Sequence, residues 1–78
     1  MKTTKSITPS DYISLTNANP AHRGMRIAIK KTLVLTVHNA LVTRDDGLTE
    51  AVTYIFCPPH GTWEVSEPYL QVLEQLNT

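Results

Sequence analysis

A single cysteine, Cys57, stands in this chain of 78 residues. One thiol cannot close an internal disulfide, so the fold has to rest on a packed core, and a lone cysteine fits a reducing, cytoplasmic setting. Long apolar runs are missing too. No stretch nears the roughly 20 residues that span a bilayer, and MKTTKSITPSDY carries two lysines with no apolar segment behind them, so neither a signal peptide nor a membrane partner is expected. Glycine is scarce, and Gly24, Gly47 and Gly61 stand apart, none of them opening a helix as a phosphate loop requires. The same cysteine with His22, His38 and His60, which show no paired spacing, falls short of a zinc ligand set. No metal and no cofactor are expected. At this length there is chain for one hydrophobic core, hence one domain, close to the size at which a partner or a second copy helps stability.

Net charge is zero, which argues against a general polyanion binder, but its distribution is uneven. All seven basic residues lie in the first 44 positions with Asp11 as the only acid there, a net +6, and the six remaining acids follow, from Asp45 to Glu74, a net −6. Side by side, the halves would cancel; on opposite faces they would make a dipole able to steer a partner.

What the chain does have is alternation. From Met25 to Thr43 apolar and polar residues follow one another with β-branched side chains prominent, the signature of a strand. A straight strand of that length would reach roughly 60 Å, against a radius of gyration of roughly 12 Å for a domain of this size. The run must therefore bend, break or protrude, and Lys30-Lys31-Thr32, where a charge enters the apolar phase, is the natural break. Asp46-Gly47 marks a hairpin turn into a return strand, Leu48 to Cys57. A two-residue turn sets Leu41 opposite Val52 and Val37 opposite Phe56, matching the large apolar faces, and is the preferred register.

Around this hairpin core (25–57) the other segments read as follows. Residues 1–24 hold a short helix, from about Pro9 to Leu15 with Thr8 as N-cap and an Ile7–Tyr12 staple, then an Asn-Pro loop. Pro58-Pro59 stops the return strand, His60-Gly61-Thr62 is a tight loop, and Trp63-Glu64-Val65 forms an edge strand within 58–65. Residues 66–78 are a helix capped by Ser66, with Val65 and Leu70 as a staple and Tyr69, Val72, Leu73 and Leu76 as its apolar stripe. The fold class is α+β: an antiparallel, hairpin-based sheet of two to four strands, with the C-terminal helix on one face and a short N-terminal helix. That leaves a face of Arg26, Lys30, Thr32, Thr36 and His38 in water.

Catalysis has little to build on. Cys57, His60 and His38 could be drawn as a Cys-His pair, but no oxyanion-hole glycines and no third orienting residue accompany them, and each reads as ordinary core or loop. A non-enzymatic role is expected. Arg23, Arg26 and Lys30 with neighbouring hydroxyls form a stripe that could follow a nucleic-acid backbone, although no aromatic on that face offers stacking. The reading preferred here is a protein-binding module, an accessory or inhibitory factor that occupies a partner protein's surface, a profile shared by analogy with small phage proteins. A homodimer through the 25–43 strand is a related expectation. The site residues are Arg23, Arg26, Lys30, His60 and Trp63, with Trp63 as an anchor on a stiff loop.

Overall fold

A computed structural model describes residues 11–78 as five antiparallel strands and one C-terminal helix. The 25–43 run breaks where its reach demands: β2 covers Arg26–Lys30, a 3-10 turn covers Lys31–Leu33, and β3 covers Thr36–Thr43. The two pieces enter different sheets. β1, Tyr12–Thr16, pairs with β2, while β3, β4 (Thr49–Cys57) and β5 (Gly61–Val65) form a second sheet in that order. One bridge, Asn17 opposite Val65, ties them, with Ala18 N–H donating to the Glu64 carbonyl (2.9 Å) and Ser66 N–H to the Thr16 carbonyl (3.0 Å).

Several sequence expectations need correcting. The helix placed over Pro9 to Leu15 is a strand from Tyr12 onward; Thr8, Pro9 and Ile7 lie outside the described residues. Ile13 and Leu15 are buried while Ser14 is exposed, so period two governs here. The hairpin register is the other of the two that the turn allowed: Leu41 faces Ala51 and Val37 faces Ile55. Its loop has three residues, since Arg44 N–H donates to the Leu48 carbonyl and Gly47 N–H to the Arg44 carbonyl, both at 2.9 Å. A type I turn followed by a left-handed glycine needs positive φ only at Gly47 (+84°), and Asp46 Oδ1 accepts from Leu48 N–H (2.9 Å) to lock it. Turn chemistry outweighed the matching of apolar faces, and Leu41 stays 75% exposed.

The third correction concerns the chain after the double proline. His60 N–H donates to the Cys57 carbonyl (2.8 Å) across a turn that includes a cis Pro58–Pro59 peptide, so β5 starts at Gly61. β5 is no bare edge strand, because Val65 meets Asn17 on its second side. α1, Tyr69–Leu76, begins behind Pro68, not Ser66, whose N–H is already committed to Thr16. Leu70 is exposed, so it makes no staple with the buried Val65. The apolar stripe does form: Val72 is fully buried, with Tyr69, Leu73 and Leu76 half-buried beside it.

The core lies between the two sheets and the helix. Ile13, Leu15 and Ile29 of the first sheet meet Ile55, Cys57 and Val65 of the second and Val72 of α1; each fully buried aliphatic among them is worth about 1.5–3 kcal/mol. The covered face of β3 switches along its length, from Val37 on one parity to Ala40 and Val42 on the other. At the tip, Arg44 reaches β5 to pair with Glu64, and also donates to Glu50 (2.9 Å) and the Ala18 carbonyl (3.1 Å). No described helix is long and apolar enough to cross a membrane.

Candidate functional site

β2 sits at the rim of the first sheet, and its two sides differ. Ser14 N–H donates to Gln75 Oε1 (2.8 Å) and Thr16 N–H to Glu67 Oε1 (2.8 Å), so these amides of β1 point away from β2. In an antiparallel ladder, residues opposite such a pair also turn their peptide groups outward. Ala28 lies opposite Ser14, Arg26 opposite Thr16, and Lys30 opposite Tyr12, so the N–H and C=O groups of Arg26 and Ala28 and the N–H of Lys30 face away from β1, while the Lys30 C=O opens the 3-10 turn. Among the described residues β2 pairs with β1 alone.

Trp63 projects beside this rim. It stands on β5 opposite Ile55, not on a loop, and is 37% exposed on the side of the sheet that otherwise faces the core. Two grooves flank it. One is lined by Tyr12, Ile29, Lys30, Leu33 and His60, the other by His22, Met25, Arg26 and Ile27, and Trp63 belongs to both. Their volumes, about 320 and 260 Å³, are roughly ten times one water's share. Each has room for an aliphatic side chain.

Four of the five expected site residues therefore meet: Lys30 and His60 in the first groove, Arg26 in the second, and Trp63 between them. Arg23 is elsewhere. Its guanidinium makes a two-pronged pair with Glu50 (2.8 and 2.9 Å) near the hairpin tip. Those bonds from Arg23, then those from Arg44, hold the Glu50 carboxyl down at about 2, and Glu50 in turn raises Arg23. Arg26 is both oriented and paired: it donates to Thr16 Oγ1 (2.8 Å) and Ser14 Oγ (2.7 Å), makes a 3.5 Å ion pair with Glu67, and keeps 63% of its side chain exposed. Lys30 is exposed and makes no ion pair among the described residues.

The uneven halves of the sequence thus interlock, with Arg23, Arg26 and Arg44 each paired to an acid of the second half. The proposed basic face divides as well, since Thr36 and His38 belong to the other sheet, where His38 lies against Tyr54 at 5.4 Å. Cys57 is buried, and burial pushes its thiol up, away from the thiolate a nucleophile needs. Sequence reasoning missed Tyr12, Met25 and Leu33 as groove residues. Period two in Ile13-Ser14-Leu15-Thr16 would have found Tyr12, whereas Leu33 reaches the groove only because the 3-10 turn redirects it. The chain matches no protein-family model, no curated protein and no solved structure.

Proposed function

We propose that this chain is a small, non-catalytic protein-binding module, an accessory or inhibitory factor that works by occupying a partner protein's surface through the area around Trp63. The observation that carries this reading is Trp63 itself, a large ring held on a strand, part-exposed, with a groove on either side. A tryptophan fixed by its backbone loses little freedom when a partner covers it, and such residues dominate interface energies.

A second reading, nucleic acid, has one observation in its favour: Trp63 and Tyr12 supply stacking surfaces next to Lys30. Against it stand the zero net charge and the division of the basic stripe between two sheets. Affinity capture from the source lysate, with and without nuclease and at two salt concentrations, separates them. The expected result is a protein retained after nuclease treatment and lost with Trp63→Ala. Retention that vanishes with nuclease and falls steeply with salt would transfer the assignment to nucleic acid.

A further inference from the structure

The protein-binding reading leaves open how the partner is held, and this inference rests on that reading. We propose that the partner enters as an extended, acidic peptide segment that adds to β2 as a third strand, with two apolar side chains astride Trp63.

Three observations converge on it. The outward N–H and C=O groups of Arg26 and Ala28, with the N–H of Lys30, form a strand edge whose donors and acceptors alternate at the spacing of another peptide backbone, which a phosphate chain does not reproduce. The grooves are aligned along β2, one beside Ile27 and the other beside Ile29. Residues two apart on an added strand lie roughly 7 Å apart on the same face, so its inward side chains would fall one into each groove. The third observation is charge. Among the described residues lining the two grooves, every ionisable side chain apart from the phenol of Tyr12 and the buried thiol of Cys57 is basic: Lys30, His60, His22 and Arg26.

The outer face of β2 reads Arg26, Ala28, Lys30, a cation, a small residue and a cation. A complementary strand reads acid, apolar, any, apolar, acid, since oppositely charged residues directly across a ladder stabilise it and like charges oppose it. The same rule disfavours a second copy of this chain at the site. A two-fold pairing of β2 with itself about Ala28 would set Arg26 against Lys30 twice.

The test uses the full chain and a capped synthetic peptide with Glu-Val-Thr-Val-Glu at its centre. Trp63 is the only tryptophan, so its fluorescence reports on the grooves directly. The expected result is a saturable change in Trp63 emission together with slowed hydrogen exchange at the Ala28 amide. Lys30→Glu, a change at an exposed side chain with no ion pair among the described residues, should leave thermal unfolding unaltered while weakening the glutamate peptide about three- to tenfold, the range for a reversed cross-strand pair. The peptide with lysine in place of both glutamates should bind the native chain more weakly than it binds Lys30→Glu. Equal binding of the two peptides to both chains would overturn the charge selection, and a Trp63 response without protection of Ala28 would overturn strand addition. If no peptide binds while a nuclease-resistant partner is still captured through Trp63, this inference fails and the protein-binding reading stands. If capture is itself lost with nuclease, both fall.

Discussion

The two-stranded sheet has two outer edges, and the chain treats them oppositely. On β1 the outward amides of Ser14 and Thr16 are met by side chains: the Gln75 amide bonds both the N–H (2.8 Å) and the C=O (3.1 Å) of Ser14, and the Glu67 carboxylate takes the N–H and the hydroxyl of Thr16 (2.8 Å each). Gln75 thereby does the work of a neighbouring strand residue. On β2, separated from this edge by one strand, no described residue does the same for Arg26, Ala28 and Lys30. Open edges invite pairing with other chains, and proteins close or charge those that serve no purpose. A sheet that closes one edge with two dedicated side chains and leaves the other bare beside a tryptophan marks the bare edge as the one to test.

The difference between the two edges can be abolished from the core. Ile13 is fully buried on β1 and anchors the first sheet against the second. Ile13→Ala should cost about 2–5 kcal/mol, read as a lowered urea midpoint, and should release both edges together. A smaller and more selective effect is expected at the closed edge. Gln75→Ala leaves the Ser14 peptide to water and should cost about 1 kcal/mol, but its sharper consequence is association. If Gln75 guards β1, sedimentation of Gln75→Ala should show dimers that the native chain lacks at the same concentration. A stable monomer would mean that α1 blocks β1 by bulk alone.

How much of this was legible in the sequence varied with the range of the interaction that decided it. The break in the 25–43 run followed from reach alone, and the helical stripe of Val72, Leu73 and Leu76 followed from period. The hairpin register did not, because Asp45, Asp46 and Gly47 support two loop lengths, and the longer one is held by the Arg44–Leu48 hydrogen bond and by Asp46 Oδ1 on Leu48 N–H, contacts that strand alternation does not reveal. Tyr12 to Thr16 went astray for a different reason. Local capping signals around Pro9 competed with a short alternation, and a strand of five residues is stabilised chiefly by partners elsewhere, Ile27 and Ile29 among them. The site was legible as a list of residues but not as a place. Arg26 and Lys30 come from one segment and His60 and Trp63 from another some thirty residues on, and their meeting depends on the bridge between Asn17 and Val65.

The smallest effect expected is also the one that tests whether the edges are independent of the hairpin tip. Glu50 is held at about 2, below its ordinary 4.5, by the bonds from Arg23 and Arg44. A carboxyl whose folded value is depressed binds fewer protons folded than unfolded, so its stabilising contribution is complete above about pH 4.5 and fades as the pH falls toward 2. Both arginines remain charged throughout. Glu50→Gln should therefore flatten part of the acid limb of the stability profile between those values and change little at neutral pH, where exposed pairs contribute modestly. Exchange at Ala28 and at Ser14 should be unmoved by that substitution. Movement at either would show that the Arg23, Arg44, Glu50 and Glu64 cluster braces the first sheet through Ala18, whose carbonyl accepts from Arg44 (3.1 Å), and that the difference between the two edges is set partly from the hairpin tip.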